Sequence, residues 1–283
     1  MNINYIIKST LPYLHRQKIM INGAKAQRDK VNLEFFKDEL NLGDILSKTI
    51  CDYMLSLREL DFSSASKKQY THLYAIGSLL GGRGVFDATV WGSGIRSFSE
   101  IAFMGINRHI QKLDIRAVRG PVTASILAQA GHYEVPEIYG DPAILLPLVY
   151  PKERETIKGK VGVIEHFLSA DINLRESCAQ KINIKTDDYK KFVDEVTSCE
   201  KIISSSLHGI IISEAYGVPA IFLSTNRQTE MLKYFDWYYS TNRMQFPIAK
   251  SIDEALNFPC ASVPNLDIMR QNLIECFPYD LWR

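Results

Sequence analysis

The feature that most restricts this chain is an alternation. Short apolar runs that end in glycine or small polar residues trade places with amphipathic stretches. "YAIGS" (Tyr74–Ser78), "ATVWGSG" (Ala88–Gly94) and "LDIRAVRG" (Leu113–Gly120) read as buried strands. A helix is expected in "ILSKTICDYMLSL" with Asp44 as its cap, and another in "PVTASILAQAG". The second has Pro121 in a tolerant first turn, Gly131 just past its end, and Val122, Ile126 and Ala130 on one face. A charged, proline-bracketed segment, Pro147–Gly159, reads as a linker, and a second series follows it. That series runs through strand Val161–Phe167, a helix carrying Tyr189, Phe192, Val193 and Val196, strand Lys201–Ser204, helix Gly209–Tyr216 and strand Pro219–Leu223. Strands alternating with helices form parallel sheets with right-handed crossovers. The expected fold class is α/β, with units over 1–150 and 151–283 facing a cleft and a last helix at about 265–277.

Composition removes several alternatives. The 283 residues are 46% hydrophobic and 23% charged, enough for a sizeable core. Lys+Arg 33 against Asp+Glu 32 leaves a net charge of +1, so no nucleic-acid partner is expected. The five cysteines (Cys51, Cys178, Cys199, Cys260 and Cys276) form no C-x-x-C pair, and no two histidines have H-x-x-x-H spacing. No metal site and no redox dithiol are therefore expected. The first residues lack the pattern of a secretory signal, and "PAILLPLVYP" is too short and proline-rich to span a bilayer. The expectation is a cytoplasmic protein, with peripheral contact at the inner membrane left open. Gly92-x-Gly94 lacks the third glycine of a dinucleotide fingerprint, and neither a Walker lysine nor a G-x-S-x-G elbow occurs.

In open parallel sheets, ligands sit beyond the carboxyl ends of the strands. "GSLLGGRG", "GSGIRS" (with Gly94), "VRGP", "GDPA", "EHF" and "SSSLHG" all fall there. In "SSSLHG", helix capping accounts for one serine and the glycine, but not for His208. A helix start offers free N–H groups to an anion, and a histidine beside it moves a proton near neutral pH. Ser205, Ser206 and Gly209 are thus candidates for an anion seat and His208 for a proton carrier. Arg119, stiffened by Gly120-Pro121, suits bidentate capture of carboxylate or phosphate, and Arg116 does so less well. Asn41-Leu42-Gly43-Asp44 is explained by turn chemistry, or by Asp44 serving as acceptor or base for a sugar hydroxyl. His166, after Glu165, is a strand-tip candidate.

In order, the segments "NLGDILS", "YAIGSLL", "VWGSGI", "IRAVRGPVTASIL", "GDPAILLP", "VGVIEHF", "SSSLHGIIISEAYGVPAIFL" and "KYFDWYYS" resemble the polysaccharide pyruvyl transferase family. They run from about Asn41 to Ser240. The resemblance implies two Rossmann-like domains facing a cleft (GT-B-like), with a last helix crossing back onto the first half. It also implies phosphoenolpyruvate as co-substrate, no cofactor, and a pyruvyl group passed as a cyclic ketal to a bacterial surface polysaccharide or its lipid-linked precursor. Many members carry arginine where this chain has Ser206, and Ile-Pro-His where it has Ile-Glu-His. Arg119, Arg83 or Arg96 must then grip the donor.

Such a transfer protonates the donor's methylene carbon, adds one sugar hydroxyl, expels phosphate and closes the ring with a second hydroxyl. It needs cations for two anionic groups, an acid and a base. His208 is the first choice of acid and His166 the second; Asp44 or Glu214 is the base. Asn41 and Glu214 fall on the acceptor side. Two rivals remain: a GT-B glycosyltransferase using a nucleotide sugar, and a non-catalytic relative.

Overall fold

In the computed structural model of the protein, the residues described are 27–36, 39–68, 71–80, 87–98, 111–131, 134–167, 179–224, 230–259 and 262–282. They form a mixed α/β architecture built on two all-parallel sheets. The first has four strands in sequence order: β1 (Val31–Glu34), β2 (Thr71–Tyr74), β3 (Ala88–Trp91) and β4 (Leu113–Ala117). The second comprises β5 (Val161–Ile164), β6 (Ala179–Lys181), β7 (Lys201–Ser204), β8 (Ala220–Leu223) and β9 (Ile248–Ala249), in the order β6-β5-β7-β8-β9. Strands β2, β3, β5, β7 and β8 are buried at every position, which is why they read as continuous apolar runs.

Eight α-helices are described: α1 (Leu42–Ser56), α2 (Pro121–Gln129), α3 (Leu146–Val149), α4 (Tyr189–Thr197), α5 (Leu207–Ala215), α6 (Met231–Ser240), α7 (Ile252–Asn257) and α8 (Asp267–Glu275). A 3-10 turn, Pro142–Leu145, runs directly into α3. None of the helices among the described residues is long and apolar enough to cross a membrane.

Several expected boundaries move, for local reasons. The strand expected at Tyr74–Ser78 lies earlier, at Thr71–Tyr74, sharing only Tyr74 with it, and the following residues form the turn in which Gly77 adopts φ +112°. Helix α1 starts at Leu42 with Asn41 in the cap position, so Asp44 lies inside the first turn rather than before the helix. Helix α5 starts at Leu207 with Ser206 as its cap, so His208 sits in its first turn. On α2 the buried residues are Thr123 and Leu127, with Val122 and Ile126 only partly covered.

One hydrophobic cluster reaches across both sheets' layers, joining Leu42 and Ile50 of α1 to Ile144, Ile210 of α5, Trp237 of α6 and Leu273 of α8. Polar contacts tie the same parts. Trp91 Nε1 donates to the Leu273 carbonyl at 2.8 Å, and Leu42 N donates to the Ile184 carbonyl at 3.0 Å. Arg270 on α8 donates to the carbonyls of Ile144 and Ala215. The two sheets are thereby held with their strand ends around a common cleft.

Candidate active site

The two sheets' strand-end loops enclose a cleft of about 720 Å³, a figure that includes open solvent at its mouth. Its walls come from the start of α1, the turn after β2, the loops after β3 and β4, the tip of β5, and the starts of α5 and α6.

His208 occupies the α5 end of this cleft. Its Nε2 lies 3.6 Å from Oδ2 of Asp141, and neither atom has a hydrogen-bond partner in the protein. Asp141 is fully buried; its other oxygen accepts from Ala143 N at 3.0 Å, capping the 3-10 turn. Gly43 of α1 lies against the imidazole, and a Cβ there would overlap the ring at Nδ1 and Cγ. The ring is therefore clamped between a bare glycine and a buried carboxylate.

At the α6 end sits a second imidazole. His166 donates its backbone N–H to Ser205 Oγ at 2.9 Å and packs its ring on Phe167. Lys233 Nζ approaches His166 Nε2 to 3.3 Å and Glu230 Oε2 to 2.7 Å, while Glu230 stands 3.6 Å from the same Nε2. Burial pushes the Lys233 ammonium below the ordinary lysine range, with Arg119 and Arg96 acting in the same sense against Glu230. Burial also works to raise Glu230, but Lys233, His166 and Arg96 together hold it below the usual carboxylate range. Desolvation thus prevails for the lysine, and attraction prevails for the carboxylate.

Arg119 forms the floor and is wholly buried. It donates to Ser78 Oγ at 3.0 Å and to the Ile95 carbonyl at 2.6 Å, and pairs with Asp236 at 3.1 Å. Asp236 also accepts from Thr123 N and Oγ1, so a helix of the second half caps a helix of the first. Gly94 leaves the room this guanidinium needs, since a Cβ there would come within 2.5 Å of Cζ. Arg119 keeps one buried N–H, at Nε, without a partner. Breaking a buried pair of this kind by removing one member typically costs about 3–5 kcal/mol.

Of the residues expected from sequence, Asn41, Asp44, Arg119, His166, Ser206 and His208 line the cleft. Asn41 Nδ2 donates to Asp44 Oδ2 at 2.6 Å, presenting the pair as one polar edge. Ser206 caps α5 through Gly209 N, and Ser205 Oγ is engaged by His166 N, so both serines shape the turn. Gly209 faces inward, against Ser204 and Ile164, and is not part of the cleft wall. Glu214 corrects an expectation: it is buried away from the cleft, bound by Arg243 in bidentate fashion and by Trp237 Nε1 at 2.8 Å. Arg116 also lies elsewhere, paired with Asp114 and Asp280. Arg83 falls outside the described residues. The aromatic run of α6 is a helix face whose Tyr234, Trp237 and Tyr238 are buried. Asp141, Gly43, Glu230 and Lys233 were not singled out from sequence. Among them Asp141, in "GDPA", and Gly43, in Asn41-Leu42-Gly43-Asp44, stood in turns already flagged. No group of three or more potential metal ligands occurs among the described residues.

A two-sheet α/β fold with a histidine-bearing cleft does not by itself specify a reaction. The sequence narrows this: a model of the polysaccharide pyruvyl transferase family matches residues 62–227, and the chain belongs to that family. An uncharacterized protein, L143, of Acanthamoeba polyphaga mimivirus is 25% identical over 228 residues, covering 76% of each chain. The succinoglycan biosynthesis protein ExoV of Rhizobium meliloti is 28% identical over 133 residues, or 44% of this chain and 39% of ExoV. The chain therefore matches about two-fifths of the length of ExoV. In fold, the crystal structure of the uncharacterized Klebsiella pneumoniae protein KP1_0663 superposes with a TM-score of 0.50 at 12% identity, covering 89% of this chain and all of that one.

Proposed function

We propose that this protein transfers the pyruvyl group of phosphoenolpyruvate to a pair of sugar hydroxyls on a surface polysaccharide or its lipid-linked precursor, forming a cyclic ketal. The two sheets then act as the GT-B-like halves that bring donor and acceptor together. Membership in the family supports pyruvyl transfer, and the relation to ExoV supports a polysaccharide acceptor.

The observation that carries the reading is the clamped His208. His208 lines the cleft, and its Nε2 faces the buried Asp141 carboxylate at 3.6 Å. That is the arrangement of a general acid held by an orienting carboxylate. In the proposed step, His208 gives a proton to the methylene carbon of phosphoenolpyruvate. The central carbon becomes electron-poor and is attacked by a hydroxyl whose proton passes to Asp44. The C–O bond to phosphate then breaks, and the second hydroxyl closes the ketal as its proton passes to the departing phosphate. Gly209 N is capped by Ser206 Oγ, and the N–H groups of Leu207 and His208 at the same helix start are the proposed seat for one anionic group. Arg96, Lys233 and Arg119 line the same cleft and are the cations proposed for the other.

The test is incubation with phosphoenolpyruvate and candidate oligosaccharides, following inorganic phosphate and the ketal methyl signal by NMR. Both should appear together and only with an acceptor present. Thermal stabilisation by UDP or GDP without stabilisation by phosphoenolpyruvate would favour a nucleotide-sugar glycosyltransferase and end this reading.

A further inference from the structure

A cleft wall that is mostly polar carries one apolar exception. Phe36, after β1, and Phe167, after β5, both line the cleft, and both are half-buried. Their ring centroids lie 5.8 Å apart at an interplanar angle of 48°, and the His166 ring lies 4.7 Å from that of Phe167. Leu79 and Leu207, the other large apolar side chains described in the wall, are buried. Phe167 also packs against the main hydrophobic cluster, so its ring is anchored on the core side while it forms part of the cleft wall. Each sheet thus contributes one phenyl ring to the same site.

Chemistry decides which substrate such a pair can serve. The face of a phenyl ring is the negative end of its quadrupole, so it attracts polarised C–H groups and gives nothing to a phosphate or a carboxylate. Phosphoenolpyruvate carries both of those anions and a single methylene. A pyranose carries hydroxyls around its rim and C–H groups across its faces. We propose that Phe36 and Phe167 form an acceptor platform, on which a C–H face of a pyranose lies while its hydroxyl rim is left to the polar wall that includes Asn41 and Asp44. The pair then selects a closed sugar ring over an open-chain polyol with similar hydroxyls. This assignment rests on the reading of the cleft as a pyruvyl-transfer site. Tyr234, Trp237 and Tyr238 of α6 do not compete for the role, because they are buried and are not among the residues lining the cleft.

Phe36→Leu and Phe167→Leu test the pair, since leucine keeps apolar bulk against the core but removes the ring face. The acceptor probes are the methyl pyranosides of glucose, galactose and mannose, with sorbitol as the open-chain control and phosphoenolpyruvate as donor. For the best pyranoside, each variant should raise the acceptor KM by about fivefold to tenfold, with kcat and the KM for phosphoenolpyruvate within about twofold. Phe167→Trp should stay near the wild type, and sorbitol should not be an acceptor. A second arm needs no turnover: saturating the aromatic protons of the full chain should pass magnetisation to the ring C–H protons of the same glycosides, and less of it in the double leucine variant. An acceptor KM unmoved in both folded leucine variants, a rise confined to the KM for phosphoenolpyruvate, transfer to sorbitol as efficient as to the pyranosides, or no magnetisation reaching the glycosides from the wild type overturns the proposal. Should Phe167→Leu not fold, Phe36→Leu and the wild-type magnetisation transfer still decide it. If the glycosides bind through these rings and the wild type releases no phosphate from phosphoenolpyruvate, the pyruvyl-transfer reading fails and the platform stands. If the wild type is active and both variants match it, the platform alone fails.

Discussion

The two imidazoles of the cleft are the same side chain placed in opposite company. His208 is wedged between a glycine and a buried carboxylate 3.6 Å away, whereas His166 meets an ammonium at 3.3 Å. One fold can thus give two histidines different work by choosing their neighbours. The difference also concerns anchoring. His208 rides on a helix start locked by Ser206 and Ser204, while His166 is held by its backbone bond to Ser205 and the lysine of another helix.

The sharpest way to break this contrast is at Gly43. A Cβ there overlaps the His208 ring, so Gly43→Ala should displace the imidazole with little change to α1, which alanine favours. Misplacing a reacting group by about 1 Å can cost roughly a hundredfold in rate. We expect a loss of that order in kcat with an unchanged far-ultraviolet spectrum; near-wild-type turnover would mean that the ring's position is not critical. Next in size is Asp141→Asn, which keeps the shape but removes the charge facing Nε2. It should lower kcat by about tenfold or more, with KM for phosphoenolpyruvate largely kept. Asp236→Ala should act on the frame instead, stranding buried Arg119 and uncapping α2. It is expected to lower stability by about 3–5 kcal/mol, read as a fall in the denaturation midpoint.

The lysine end makes a prediction in pH. Burial lowers the Lys233 value, so its charge, and any activity that depends on it, is present below that value and lost as pH rises through it. The alkaline limb of kcat should therefore fall below the pH at which an ordinary lysine deprotonates, and move upward in Lys233→Arg. An unchanged limb in that variant would separate the lysine from the reaction. The smallest effect on chemistry is expected at Glu214. Its carboxylate is spent on Arg243 and Trp237, so Glu214→Gln should cost stability while leaving the KM of the acceptor within about twofold.

Much of this architecture was legible because strand and helix periods are local. Lys201–Ser204 is a buried strand from end to end, and Phe192, Val193 and Val196 fall on the covered face of α4 as their spacing dictates. The turns after the strands were legible too, since glycines and serines cluster where chains must bend near a ligand. The parts that were not legible are contacts made through space. Nothing local tells Gly43 that it will face His208, or Lys233 that β5 will present it an imidazole. Asp141 reads as a turn residue because one of its oxygens is a cap, and the second is revealed only by the helix packed above it. Glu214 was misjudged because adjacency to Leu-His-Gly in sequence is not adjacency in space, as its turn of α5 faces α6 and Arg243 instead. Asp44 was expected to cap α1, yet Asn41 holds the cap position and Asp44 is directed at the cleft edge, where a base would be needed.

The central claim is that His208 donates the proton that turns phosphoenolpyruvate into an electrophile. Single-turnover phosphate release by His208→Ala, run in heavy water beside the wild type, tests it most directly. The account predicts one solvent deuterium in the ketal methyl of the wild-type product, and a loss of about a hundredfold or more in the rate for the folded variant. Equal rates with the same labelled product from both proteins would contradict it.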